Sequence, residues 1–251
     1  MLKYSPLLFL LLLTPKIHAQ SPGYDDLLVM YVDEDYEKCI KKADRYIGKE
    51  DTRRDPLPYL YASMCYHEMS KQDKYAEHPE FKNAARDALK YAEKFRKKDV
   101  HNAYAPNYAD FWSELNTTAM DYGFMLMETG SFSKAKRQFD RITRYQPENP
   151  GAWLMLVQSQ KKMNLRRDAL ESMQQFRKAY AAVPDLSRLP LDQQRLLREA
   201  LLRHARRLDP AGMRDSALAT MKMGGPQFLD NAEFRAFFEE LQQPVRQVNA
   251  P

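Results

Sequence analysis

The feature that most constrains the fold of this 251-residue chain is a helical pattern of small and bulky residues that recurs after 34 residues. Ala119 is followed at that interval by Trp153, and Ala135 is followed at the same interval by Ala169. Within each segment the apolar residues are three or four positions apart, as on one face of a helix. A period of this length is typical of stacked helix-turn-helix units, each of which buries its apolar face against the next.

Helical spacing extends over nearly the whole chain. From Leu57 to Cys65 the apolar residues follow a helical period, and most prolines fall between such segments. No segment alternates apolar and polar residues in the manner of a half-buried strand. The sequence therefore predicts an all-α fold, with a helix pair within 56–97 and further helices at about 24–32, 35–48, 106–129, 133–146, 150–163, 166–181, 191–208, 211–223 and 231–242.

Six residues mark the repeat: Gly123, Ala135, Phe139, Pro147, Trp153 and Ala169. Their order and spacing resemble the tetratricopeptide-repeat (TPR) family, whose fold is a right-handed superhelix of antiparallel helix pairs. The resemblance implies that Gly123 allows close approach of the second helix at Ala135. It also implies that Tyr122, Phe139 and Trp153 fill the space between helices and that Pro147 ends the second helix.

The resemblance divides the chain into three parts. Residues 1–19 precede the repeats, residues 20–181 form TPR-like helical repeats, and residues 182–251 form a C-terminal helical extension. Regular units cover about 116–149 and 150–181, whereas longer links at 70–78 and 97–106 make the earlier units irregular. The aromatic segment at 231–242 resembles the helix that caps such arrays, where the last unit needs a cover for its apolar face.

The first nineteen residues have the composition of a secretory signal peptide. Lys3 precedes the apolar run 7–13, and Ile17-His18-Ala19 offers a cleavage signal. An uncleaved anchor is the alternative. With no other segment apolar enough to cross a bilayer, we expect an exported protein of the periplasm or cell surface, with peripheral envelope association left open. The net charge of +5 argues neither for nor against a nucleic-acid partner, but export argues against one.

Motifs for catalysis, cofactors or metals are not evident, so we predict a protein that is not an enzyme and carries no cofactor. His67-Glu68 lacks the second histidine of a metalloprotease helix. Cys39 and Cys65 lie on neighbouring predicted helices, where they could pair as a disulfide or pack as core residues. Asp215-Ser216-Ala217 resembles the glycosylation triplet of exported proteins in Bacteroidetes-type bacteria, and its use is left open.

The TPR resemblance also implies a binding surface on the inner, concave face. We expect a protein partner, whose identity the sequence does not give, to contact nine residues there: Thr117, Met120, Phe124, Met127, Glu128, Leu154, Gln158, Lys161 and Lys162. The alternative is that a neighbouring segment covers the apolar members as core. Acidic residues at 25–37 and seven arginines at 188–214 form either partner-orienting charge or solvated helix faces.

These observations predict a non-catalytic scaffold of the cell envelope that binds a partner segment on its concave face. The alternative is a structural subunit permanently docked in an envelope or secretion assembly. An enzyme whose site is assembled from distant residues is the third hypothesis. The helix pairs are rich in lysine, tyrosine and methionine and follow a signal peptide, and in this they resemble exported envelope TPR proteins of Bacteroidetes-like bacteria.

Overall fold

The computed structural model describes residues 23–243, and these residues are all-helical, as the sequence predicts. The predicted signal peptide lies outside them. No β-strand occurs in this part of the chain, and none of its helices is long and apolar enough to span a membrane. The helices are α1 (Asp25–Val32), α2 (Tyr36–Gly48), α3 (Leu57–Ser70), α4 (Ala84–Lys98), α5 (Ala109–Glu128), α6 (Phe132–Tyr145), α7 (Pro150–Lys162), α8 (Arg166–Ala181), α9 (Leu191–Leu208), α10 (Arg214–Met223) and α11 (Ala232–Gln242).

Four helix pairs are joined by the same kind of turn. The turn residue has a positive φ at Glu34 (60°), Gly130 (71°), Asn164 (58°) and Gly212 (73°). In each turn the next residue donates its backbone N–H to a carbonyl five residues earlier, for example Ser131 to Leu126 at 2.8 Å and Leu165 to Gln160 at 2.9 Å. This hydrogen bond closes a helix end of the Schellman type. The pairs α1–α2, α5–α6, α7–α8 and α9–α10 therefore share one local design.

The α5–α6 pair packs tightly at Gly123. A Cβ at this position would lie 2.6 Å from the ring of Phe139, so only glycine fits. The residue that approaches Gly123 is thus Phe139, whereas the sequence suggested Ala135, which is buried elsewhere in the same core. The helix α6 ends at Tyr145, two residues before Pro147.

The α7–α8 pair begins with a well-formed cap. The side chain of Asn149 accepts a hydrogen bond from the backbone N–H of Ala152 at 3.2 Å, and Pro150 occupies the first helical position. The indole N–H of Trp153 donates to the carbonyl of Pro147 at 2.7 Å, so this half-buried side chain fixes the link into α7. Ala169 is buried on α8.

Long links separate the helices in the first half of the chain. A link of thirteen residues separates α3 from α4, and Tyr75 and Phe81 bury their rings there in an edge-to-face pair. The loop after α4 is held by Asp99, whose carboxylate accepts hydrogen bonds from the backbone N–H groups of Ala103 and Ala105 at 2.8 and 3.0 Å.

Cys39 and Cys65 are free, buried thiols of the α2–α3 core. Of the two alternatives, a disulfide or core packing, the structure shows core packing.

The C-terminal helices pack back onto the preceding helix pairs. α9 lies along α7 and α5, and α10 and α11 follow against it. Phe234 of α11 is fully buried beside Phe228, and a Cβ on Gly224 would meet the Phe234 ring at 2.5 Å. The aromatic helix therefore closes the α9–α10 pair.

Candidate functional site

The predicted concave face is not open in the structure. Four of its nine residues, Met120, Phe124, Leu154 and Gln158, are buried. The alternative, that a neighbouring segment covers them, is correct for these four. They contribute to the core and are not accessible to a partner.

The covering segment is α9. The side-chain amide of Gln158 donates to the carbonyl of Ala200 at 2.9 Å. The guanidinium of Arg203 lies 4.9 Å from the centre of the Phe124 ring, in cation–π geometry. At Gly151 a Cβ would stand 2.6 Å from the backbone nitrogen of Leu197, so the two helices approach at backbone contact.

Arginines of α9 account for part of the charge asymmetry seen in the sequence. Arg195 pairs with Asp121 at 2.7 Å and Arg203 pairs with Glu128 at 2.8 Å, both partners lying on α5. Because the residue numbers increase together along both helices, α9 runs parallel to α5. These arginines thus connect α9 to α5, and the predicted binding residue Glu128 is already paired with Arg203.

The remaining predicted residues are peripheral to this contact. Thr117 donates its hydroxyl to its own helix at Ser113, and the sulfur of Met127 lies 3.3 Å from the hydroxyl of Ser159. Lys161 is half-buried, and burial lowers its pKa. Lys162 is exposed above the ring of Phe132.

A buried polar network fixes the start of α9. The amide of Asn116 donates to Asp192 and to Gln146, each at 2.7 Å, and accepts the hydroxyl of Tyr145 at 2.6 Å. Burial raises the pKa of Asp192, and it also raises that of the Tyr145 hydroxyl. These four side chains join α5, α9 and the end of α6, a contact between distant segments that the helical period does not indicate.

An open groove of about 650 Å³ lies instead between the α3–α4 and α5–α6 pairs. Its floor is apolar and its rim is basic. It is lined by His67, Ser70, Lys71, Asn83, Ala85, Arg86, Leu89, Leu115, Thr118, Ala119, Tyr122, Leu126, Lys134, Arg137, Gln138 and Arg141. The groove is therefore built from α3 and α4 on one side and α5 and α6 on the other.

Tyr122 belongs to this groove and not to the space between helices. The sequence predicted that it fills the interior, but 49% of its surface is exposed. It lies on α5 two residues before the buried Phe124, so it points away from the α9-covered face. On the α6 wall, the side-chain amide of Gln138 donates a hydrogen bond to the carbonyl of Ala119 at 3.2 Å.

Three of the five lysine and arginine side chains at the rim form no ion pair within the described residues. Arg86 reaches the neighbouring Asp87 at 3.4 Å, whereas Lys134, Arg137 and Arg141 form no ion pair there. Burial, and then the nearby Arg86 charge, lower the pKa of Arg141. A guanidinium held in this way favours an anionic group that would bring counter-charge to it.

The sequence does not indicate this groove, because its lining comes from four helices and from the long link between α3 and α4. The i, i+3 and i+7 spacing of Lys134, Arg137 and Arg141 along α6 was the available signal. No protein-family model, no curated protein and no solved structure matches this chain.

Proposed function

We propose that the chain is a non-catalytic, exported scaffold of TPR-like helix pairs that holds an acidic segment of a partner protein in the groove between α3–α4 and α5–α6. The single observation that carries the proposal is the row of Lys134, Arg137 and Arg141 beside an apolar floor. A right-handed superhelical arrangement of the pairs is part of this proposal. It is supported by the equal turns at Gly130 and Asn164, which are 34 residues apart.

The chemistry of the occupant follows from the two surfaces of the groove. The exposed apolar surface of the groove comes from the ring of Tyr122 and from Ala85, which lie above the buried side chains of Leu89 and Leu115. The rim offers guanidinium groups, which bind carboxylates with two parallel hydrogen bonds. An amphipathic helix with one leucine-rich face and one glutamate-rich face matches both surfaces.

The site proposed here replaces the concave face that the TPR resemblance suggested. On that face α9 covers the inner surface. Its Arg203 lies over Phe124, and Gln158 and Gly151 of α7 contact its backbone. A partner could reach that face only by displacing a helix that is packed at backbone contact. The groove requires no such displacement.

A pair of synthetic peptides tests the proposal. One carries leucine on one helical face and glutamate on the other, and the second has lysine in place of each glutamate. We expect the purified protein to bind the glutamate peptide at least roughly tenfold more tightly, equivalent to about 1.4 kcal/mol, in fluorescence anisotropy. Raising the salt concentration should weaken this binding, because the rim charges are screened.

Matched charge variants identify the site. Arg137→Gln with Arg141→Gln should abolish the preference for the glutamate peptide. Arg166→Gln with Arg167→Gln removes two exposed charges from α8 and should leave the preference intact. Equal binding of the two peptides would contradict the proposal. An endogenous partner released only by unfolding would instead favour the permanently docked subunit.

A further inference from the structure

One histidine of α3 has an unsatisfied ring nitrogen in an acidic setting. His67 is 1% exposed, and its Nε2 has no hydrogen-bond partner. The nearest charged atom is Oε2 of Glu114 on α5, at 3.6 Å. A buried polar atom without a partner costs free energy in the folded state, so a group that satisfies Nε2 would stabilise the protein.

Two carboxylates converge on the same point. His67, Glu68 and Glu114 each offer one atom, and these three atoms all lie within 4.8 Å of one another. The side chains of Glu68 and Glu114 also line a second small pocket of about 270 Å³, so the point is reached from solvent. The cluster thus joins α3 to α5 at the end of the groove.

The carboxylates already hold a cation. The ammonium of Lys71 lies 2.7 Å from Oε1 of Glu68 and 3.4 Å from Oε2 of Glu114. No hydrogen bond joins this ammonium to Nε2 of His67, which stays without a partner. The side chain of Lys71 is 43% exposed and is free to swing into solvent.

We propose that His67, Glu68 and Glu114 form a binding site for one Zn²⁺ ion, which displaces the ammonium of Lys71. Zinc accepts imidazole nitrogen and carboxylate oxygen at about 2.0–2.2 Å, and tetrahedral angles then separate two ligand atoms by roughly 3.3–3.5 Å. The 3.6 Å between Nε2 of His67 and Oε2 of Glu114 is close to that value. Three protein ligands leave the fourth position to water or to a side chain of a partner.

The ligand set favours zinc over the harder divalent ions. Calcium and magnesium prefer six or more oxygen ligands, whereas this site offers one nitrogen and two carboxylates. For mixed nitrogen and oxygen sites, zinc also binds more tightly than manganese or ferrous iron. Binding at this point would tie α3 to α5 and so stiffen one end of the groove.

Calorimetric titration of the metal-free, untagged protein with zinc chloride tests the site. We expect one Zn²⁺ per chain, and an increase in thermal midpoint when zinc is present, because the ion binds the folded state. Glu114→Gln removes an exposed ligand without disturbing the core and should lower the affinity at least tenfold. His67→Ala should lower it by at least as much.

Two further variants complete the test. Lys71→Met removes the competing ammonium and should raise the affinity severalfold. Glu80→Gln changes an exposed carboxylate elsewhere in the α3–α4 region and should have no effect. Absence of zinc binding, or a Glu114→Gln variant that binds as tightly as the unaltered protein, would overturn the site. A Lys71→Met variant that binds no more tightly would contradict the shared cation position.

Discussion

The two sides of α5 differ in what lies over them. On one side Met120 and Phe124 are buried under α9, which is held by Arg195 and Arg203. On the other side Tyr122 is half-exposed above a groove with a basic rim. Both sides carry large apolar residues, so composition does not distinguish them. The difference is made by a helix that begins more than sixty residues later.

The comparison shows that a covered and an open surface can lie on one helix. α9 brings its own counter-charges to Asp121 and Glu128, whereas the α6 arginines face the groove without partners in the described chain. Charge that is already paired within the fold is not available to a ligand. Charge left beside an apolar floor is available to a ligand.

The largest effect should come from the covered side of α5. Phe124→Ala removes a buried ring that packs 6.1 Å from Phe139 and below Arg203, and should lower the free energy of unfolding by about 3–5 kcal/mol. Tyr122→Ala, on the open side, should change it by less than about 0.5 kcal/mol. Urea unfolding of both variants measures the difference. Equal losses would mean that α9 does not cover this side.

Backbone contact between α7 and α9 should give the next largest effect. Gly151→Ala places a methyl group against the backbone of Leu196 and Leu197, which cannot move aside as a side chain would. We expect a loss of about 1–3 kcal/mol, measured by urea unfolding. Gly48→Ala is the control, since nothing lies within 4 Å of its Cβ position and no loss is expected there. A Gly151→Ala protein as stable as the unaltered one would refute the close approach.

The charged pairs between α9 and α5 should contribute less. Arg195→Gln with Arg203→Gln removes two solvent-exposed ion pairs, and we expect a total loss below about 1 kcal/mol. The loss should shrink in high salt, because exposed pairs are screened. A loss that is independent of salt would instead indicate that the packing of Arg203 on Phe124 dominates.

The buried network at the start of α9 should give the smallest effect, visible as a pH dependence. Burial raises the pKa of Asp192 in the folded state, so its contribution to stability is present at low pH and is lost as the pH rises through that raised pKa. Asp192→Asn keeps an acceptor for Asn116 and cannot ionise. The variant should therefore gain stability relative to the unaltered protein between about pH 4 and neutrality, in unfolding curves recorded across that range. A constant difference would show that Asp192 does not titrate with folding.

The helices and their pairing in the regular units could be predicted from local spacing, because that spacing reports which face each helix buries. Trp153, Ala169 and Gly123 are examples, although the neighbour of Gly123 proved to be Phe139. The position of α9 could not be predicted in this way. Its apolar residues indicate that one face is buried, but not that the burial partner is α5 and α7.

The groove could not be predicted from the sequence, for a related reason. Its walls depend on the irregular link between α3 and α4, which sets how far Leu89 and Arg86 stand from α5 and α6. The TPR resemblance suggested that Tyr122 lies in the interior and Phe124 on the binding face, with burial of Phe124 as the alternative. In the structure Tyr122 is half-exposed and Phe124 is buried. His67 and Glu114 likewise come together only in the folded chain.

The most direct test of the open groove against the covered face is to map where an acidic ligand lies. A photo-reactive version of the leucine–glutamate peptide would be cross-linked to the folded protein, and the modified residues would be identified by mass spectrometry. We expect cross-links at 83–89 and 134–141, on the two walls of the groove. Cross-links concentrated in α7 and α9 would contradict this, because they would place the ligand on the face that α9 covers.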